Sequence, residues 1–260
     1  MITLNLKTLS NEELEKLKQT TINDIAKYKN YQLAKKVQLN SAYGAIANRF
    51  FRYYNIKNAS AITVSGQLST MWIEKKINEL INNILKTKNV DYVIAADTDS
   101  VYVNMGPLVK SSFDGVSDKE RIVDFLDKVS KEKFEPFMAK SYEELAMRMN
   151  AYENAMKMKR EAIADRGIWK AKKMYILNLY DNEGVRYSEP KLKIMGIEAV
   201  RSSTPSSCRE SIKSALKVIM SKTNDDLIEF IDKFRKNFNS LSFEEIAFPR
   251  GVNGIEKYKD

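Results

Sequence analysis

The chain has 260 residues, 43% of them hydrophobic, enough to bury the core of one large domain or two modest ones and too many for a disordered segment. Its net charge of +9 favours a polyanionic partner, nucleic acid and an anionic membrane surface alike. With no histidine and one cysteine, Cys208, imidazole catalysis, zinc clusters and internal disulfides are excluded, leaving carboxylates and hard metal ions.

No apolar run approaches the roughly 20 residues that cross a bilayer, and the N-terminus lacks the apolar core of a signal peptide. A soluble protein of a reducing compartment is expected, with no membrane partner and with Cys208 a buried or bystander thiol. From Ile25 through Ile73 there is no acidic residue, while Lys27, Lys29, Lys35, Lys36, Arg49, Arg52 and Lys57 fall there. A solvated basic face is the commoner meaning of such a run. Here Tyr43, Phe50, Phe51, Tyr53 and Tyr54 are interleaved with it, a mixture suited to tracking a backbone and stacking on bases.

In chain order, Ser10 and Glu13 form a capping box that predicts a helix from about Asn11, with Leu14, Leu17, Ile22, Ile25 and Ala26 as its apolar side. A second helical stretch is predicted from about Asn30 to Asn48. Ala59 to Lys86 reads as a long helix, with Ile62, Leu68, Met71, Trp72, Ile77, Leu80, Ile81 and Leu85 at helical intervals and Met71 and Trp72 taken as core. The apolar run Tyr92 to Ala96, then Asp97-Thr98-Asp99-Ser100, then Val101-Tyr102-Val103 is a hairpin pattern. Residues 118 to 149 read as helical, with Ile122, Phe125, Leu126 and Val129 on one side and a break near Pro136. Trp169 to Tyr180 is a long strand candidate, and Asp181-Asn182-Glu183-Gly184 supplies a turn into Val185 to Ser188. Thr204-Pro205 opens a last helical region to about Ser240, followed by a tail without a strong pattern.

Three segments could carry chemistry. On a helix Lys36, Asn40, Tyr43 and Gly44 fall within an arc of about 100°. A lysine there can neutralise a triphosphate, and a tyrosine beside a glycine makes a flat platform for a base pair. Asp97 and Asp99, two apart, would project to one side of an extended segment and repel unless a cation lies between them, an arrangement that suits magnesium. Such residues are also common turn formers. In Trp169 to Tyr175 a strand would point Lys173 and Tyr175 one way and Lys172 and Met174 the other, so that basic residues could reach a duplex backbone; a solvent-facing lysine pair is the commoner explanation.

In this order the three segments resemble the polymerase region of the family B DNA polymerases, with the nearest likeness to the enzymes of T-even-type tailed phages. Leu39-Asn40-Ser41-Ala42-Tyr43-Gly44-Ala45 is similar to motif B and Ala95 to Tyr102 to motif C. Lys172-Lys173-Met174-Tyr175 is similar to the primer-duplex motif, with methionine where arginine is usual. Phe51-Arg52-Tyr53-Tyr54, Trp72-Ile73, the run Pro190 to Gly196, and Ser202-Ser203-Thr204-Pro205 add to the likeness, which extends from about Leu6 to Lys259.

The resemblance implies an α+β fold, an antiparallel palm sheet flanked by helices with a helical fingers arm and a helical thumb root. Its expected divisions are 1–48 as the second half of the fingers, 49–196 as palm and 197–260 as partial thumb. It implies that Lys36 and Asn40 contact the incoming triphosphate and that Tyr43 and Gly44 shape the nascent base-pair pocket. Asp99 would be the principal metal ligand with Asp97 in support, Lys172, Lys173 and Tyr175 would grip the primer end, and Glu161 would lie near the metals. The implied cofactor is a pair of Mg2+ ions, between which a primer 3′ oxygen attacks an α-phosphate. No run like motif A, an aspartate followed by Ser-Leu-Tyr-Pro-Ser, occurs in the sequence, nor do the exonuclease carboxylates. The expectation is therefore the C-terminal subunit of a split DNA polymerase, starting at Met1 near the fingertip and ending at Asp260 inside the thumb. A partner chain would supply motif A, one set of metal ligands and the exonuclease, with primer-template DNA and deoxynucleoside triphosphates as substrates. The compartment implied is the cytoplasm of an infected bacterial host. The alternatives are a non-catalytic DNA-binding or assembly protein derived from a polymerase, and a truncated product.

Overall fold

A computed structural model describes residues 9–113, 115 and 118–258. Both ends of the family likeness, Leu6 and Lys259, lie outside the described residues, as do Met1 and Asp260. The chain divides into two compact units, residues 1–68 and 69–260. Among the described residues, no helix is long and apolar enough to cross a membrane.

The first unit is helical. Helix α1, Asn11–Ile46, starts where the capping box predicts: the Glu13 N–H donates to Ser10 Oγ at 3.3 Å, and the Ser10 N–H donates to Glu13 Oε2 at 2.8 Å. One helix of 36 residues replaces the two predicted stretches, because no proline or glycine interrupts the run before Gly44. Its anticipated apolar side is not buried; no α1 residue is, and Ile22 and Ile25 are exposed. Residues 47–55 lead to α2, Ile56–Leu85, whose first turn is capped by Asn55 Oδ1 accepting from the Asn58 N–H at 3.1 Å. The Asn55 N–H returns to the Ile46 carbonyl at 3.0 Å, and the Tyr43 hydroxyl meets Thr63 Oγ1 at 2.9 Å.

The second unit is α+β, with its antiparallel strands in two sheets. Within it α2 buries Ile73, Ile77 and Ile81, spaced by four, each contributing about 1.5–3 kcal/mol of transfer free energy. Ile62 and Met71, predicted on that apolar side, are exposed instead, and Trp72 is half-buried with Nε1 donating to the Ser141 carbonyl at 2.8 Å. Strands β1, Val93–Asp97, and β2, Ser100–Val103, form the predicted hairpin. After α3, Gly106–Ser112, a helix that no sequence expectation covers, comes α4, Lys119–Val129. The break expected near Pro136 is a π-helical turn, Ser130–Phe134, from which α5, Glu135–Arg148, continues.

The long strand expected from Trp169 to Tyr180 is two strands, β3 (Ala162–Ala171) and β4 (Met174–Asn182), joined at Lys172-Lys173 with Lys173 at φ +60°. The next turn is as predicted, with Glu183 and Gly184 both at positive φ, the geometry of a two-residue hairpin. Strand β5 runs from Val185 to Met195, past the expected end at Ser188. Pro190 is tolerated because β5 is an edge in the order β3-β4-β5. Central β4 is buried on both faces: Ile176 packs with Ile197, Leu216 and Met220, while Tyr175, Leu177 and Leu179 pack with Tyr102 and Trp169.

The last helical region is divided. Helices α6 (Ser206–Ser221) and α7 (Asn224–Phe238) are separated by a capping box in which Thr223 and Asp226 bond reciprocally. The tail, expected to lack pattern, contains α8 (Phe243–Ile246), and Ser207 Oγ donates to the Glu245 carbonyl at 2.6 Å. Cys208 is a half-buried free thiol.

Candidate active site

In the first unit Lys36, Asn40, Tyr43 and Gly44 all lie on the last three turns of α1, and all but Gly44 carry exposed side chains. A Cβ at Gly44 would meet nothing within 4 Å, so the absence of a side chain beside Tyr43 leaves open space there. Tyr43 is fixed by its hydroxyl contact with Thr63, which in turn donates to the Ala59 carbonyl at 3.1 Å. Beyond the helix, Arg49 lies over the Phe50 ring at 4.8 Å and Arg52 over Tyr53 at 5.5 Å, with Phe50 83% exposed. This is the aromatic and basic mixture that the sequence displays.

The carboxylates belong to the second unit, at the tip of the β1–β2 hairpin. Asp97 pairs with Ser100, so Thr98 and Asp99 are the turn itself, with Thr98 at φ +58°. The expectation that Asp97 and Asp99 share a side because the segment is extended therefore does not hold: Asp97 ends a strand and Asp99 sits on the turn. The Asp99 N–H closes back on the Asp97 carbonyl at 2.7 Å, a γ-turn type of contact. Thr98 Oγ1 donates to Asp97 Oδ1 at 3.0 Å, and Ser100 Oγ to Asp99 Oδ1 at 3.4 Å. Asp97 is half-buried and Asp99 exposed.

The hairpin is seated on the three-stranded sheet by aromatic rings. Tyr102 of β2 packs edge-on against Trp169 at 5.4 Å and Tyr175 at 5.3 Å, while Trp169 and Tyr175, cross-strand partners, stack at 6.4 Å. Gly167 keeps this cluster possible, since a Cβ there would stand 2.6 Å from the Trp169 ring. Burial pushes the Tyr102 hydroxyl pKa up; the Tyr175 hydroxyl adds to this, and the Glu161 and Asp97 charges add smaller increments. Glu161 is ion-paired with Lys193 of β5 at 2.6 Å. Burial works against the Lys193 ammonium, but the Glu161 carboxylate outweighs it and leaves the lysine pKa raised.

Of the primer-duplex trio, Lys172 and Lys173 are exposed on the β3–β4 turn, and the strand alternation expected for them is replaced by turn geometry. Tyr175 is only 8% exposed and supports the aromatic cluster. Met174, where arginine is usual, packs against the apolar cluster under α6, so its side chain belongs to the core.

Sequence reasoning missed the roles of Tyr102, Trp169 and Lys193, and an ionic network beneath the β4–β5 turn. There Arg160 bridges Asp181 and Asp127, and Arg186 Nε lies 2.9 Å from Asp181 Oδ2. Asp181 is fully buried, and its Oδ1 also accepts from the Gly184 N–H at 3.0 Å.

A magnesium ion fits what this chain offers as a partial ligand set. Both donors are carboxylate oxygens at a hairpin tip, and Mg2+ takes one or two protein carboxylates and completes its shell with water and phosphate oxygens. Among the described residues no three acidic, histidine or cysteine side chains converge on one point, so further protein ligands are not supplied there.

No protein-family model matches the chain. It is 40% identical to the DNA-directed DNA polymerase of Enterobacteria phage T4 over 238 residues, which is 88% of this chain and 26% of that protein. To the DNA-directed DNA polymerase of Escherichia phage RB69 it is 38% identical over 236 residues, 87% of this chain and 26% of the relative. The chain thus spans about a quarter of the length of these curated relatives. By sequence it is a relative of the T-even-type phage family B DNA polymerases, matched over most of its own length to a part of theirs.

Proposed function

We propose that the chain works in template-directed DNA synthesis as the C-terminal subunit of a split polymerase, with residues 1–48 as part of the fingers, 49–196 as palm and 197–260 as the root of the thumb. The observation that carries the reading is the Asp97–Asp99 turn, presented at a hairpin tip and seated on the sheet through Tyr102, in a sequence 40% identical to a phage DNA polymerase. Lys36 and Asn40 bind the triphosphate of an incoming nucleotide, and Tyr43 with Gly44 forms the platform for the new base pair. Asp97 and Asp99 hold Mg2+, with Glu161 close by, while Lys172 and Lys173 hold the primer backbone over Tyr175. When bound, magnesium stabilises the entering and leaving oxygens of the phosphoryl transfer. The ligands that complete the set come from polypeptide outside these 260 residues, in this reading a partner chain that carries motif A and the exonuclease.

Magnesium-dependent triphosphate binding by the complex with that partner tests the assignment. Lys36→Ala is expected to weaken binding about tenfold or more, by removing a charge-assisted contact to phosphate. Asp99→Ala is expected to abolish its magnesium dependence. Triphosphate binding indifferent to both substitutions would favour a polymerase-derived DNA-binding or assembly protein that performs no chemistry.

A further inference from the structure

The turn between the two aspartates is held by a hydroxyl from a distant part of the chain. Thr70 of α2 donates from Oγ1 to the Thr98 carbonyl oxygen at 2.8 Å, across 28 residues of sequence. Thr98 has φ +58°, an uncommon conformation for a β-branched residue, and its own hydroxyl is directed at Asp97. The carbonyl that Thr70 grips belongs to the peptide whose nitrogen is that of Asp99. Because the peptide is planar, fixing its oxygen fixes its plane, and with it the direction of the Asp99 N–H toward the Asp97 carbonyl and the bond from which the Asp99 side chain departs. Thr70 itself is well anchored, since Ile73 and Ile77, three and seven residues further along α2, are buried.

We propose that Thr70 is a positioning residue for the Asp97–Asp99 carboxylates: its hydroxyl locks the Thr98–Asp99 peptide so that both are presented to a common divalent cation without rearrangement on binding. This rests on the reading of Asp97 and Asp99 as metal ligands. It assigns to α2, otherwise a packing helix in this unit, a share in the geometry of the site. The relevant chemistry is that of a residue acting through its neighbour, where loss of the contact lowers metal affinity without removing a ligand.

The test uses the full chain and Mn2+ alone as the probe, following paramagnetic broadening of the amide resonances of residues 97–100. The wild type and Thr70→Ser are expected to broaden over the same Mn2+ range, while Thr70→Val and Thr70→Ala need about tenfold more ion. Asp99→Ala should abolish the broadening. Amide hydrogen exchange at Asp99 gives a readout independent of metal: it should accelerate in the Val and Ala variants and stay unchanged in Thr70→Ser. Wild-type affinity in Thr70→Val and Thr70→Ala, with Asp99→Ala still abolishing binding, overturns the positioning role and leaves the carboxylate reading intact. Failure of Thr70→Ser to restore affinity, or unfolding of both hydroxyl-less variants, makes Thr70 a packing residue and also overturns it. Broadening absent from the wild-type turn, or untouched by Asp99→Ala, removes the carboxylate reading and this proposal with it.

Discussion

At position 196 a Cβ would stand 2.1 Å from the Lys173 carbonyl oxygen, on a backbone already at φ +67°. Gly196→Ala therefore has to displace the turn that carries Lys172 and Lys173. It is expected to destabilise the chain by about 2 kcal/mol or more in a denaturant titration, because positive φ alone costs an L-residue about 1–2 kcal/mol. An unchanged midpoint would show that the turn does not rest on Gly196. Lys36→Ala is the opposite case: α1 buries no residue, so stability should move by no more than about 0.5 kcal/mol in the same titration, whatever happens to triphosphate binding. Residues of these kinds were legible in the sequence to different degrees. Asp97 and Asp99 were found because an apolar run on each side marks a hairpin, although the turn geometry differs from the extended segment that i, i+2 spacing suggests. Thr70 gave no local signal, since its partner lies 28 residues away. Tyr175 was visible as a motif residue, but its burial depends on Tyr102 and Trp169, which are brought to it only by the fold.

The elements were most legible where capping chemistry is written locally and least where a strand and a turn share the same residue types. Ser10 and Glu13 located the start of α1, and the same logic at Thr223 and Asp226 marks the division of α6 from α7 that the apolar pattern alone ran together. Lys172-Lys173 was read as strand because nothing local distinguishes two lysines in a strand from two in a turn; the left-handed Lys173 is compensated by Gly196 opposite. Helix α4 joins β3 and β4 through Val123, Leu126 and Ile163 in one apolar cluster, through Lys119 paired with Asp165, and through Arg160, which reaches Asp127 and the buried Asp181. Arg160→Met is expected to cost about 1.5–3 kcal/mol, measured as unfolding free energy, by removing one of the two cations on Asp181 while Arg186 stays in place. A pH dependence follows from Asp127, whose carboxyl is held below its ordinary value of 3.8 by Lys131 and Arg160 against the cost of burial. A depressed carboxyl stabilises the folded state above its ordinary pKa and loses that contribution as pH falls through the folded value. Stability should therefore decline as pH drops below about 4, and Asp127→Asn should flatten that part of the profile. An acid profile of unchanged slope would remove Asp127 from the account.

At the scale of the whole molecule, the first unit exposes more apolar surface than a solitary helical arm requires, with Ile22, Ile25, Leu33, Val37 and Leu39 all exposed on α1. In the proposed split arrangement the partner chain would cover this helix, so binding of a hydrophobic dye is expected to fall when that chain is added; dye binding indifferent to the partner would place the contact elsewhere. The α+β character was legible from helical periodicity followed by alternation and hairpin turns. The separation of the strands into two sheets was not, because it is set by how Tyr102 meets Trp169 and Tyr175. The same contact makes the hairpin a rigid mount for two carboxylates, which is the centre of the functional account. Primer extension tests it most directly, with the chain alone, with the partner that carries motif A, and with Asp99→Ala plus that partner. Magnesium-dependent synthesis is expected only in the second case, with a loss of about a thousandfold or more in the third, the scale on which a metal ligand stabilises transition-state charge. Full synthesis by the Asp99→Ala complex would contradict the carboxylate turn as half of the metal site, and robust synthesis by the chain alone would contradict the split arrangement.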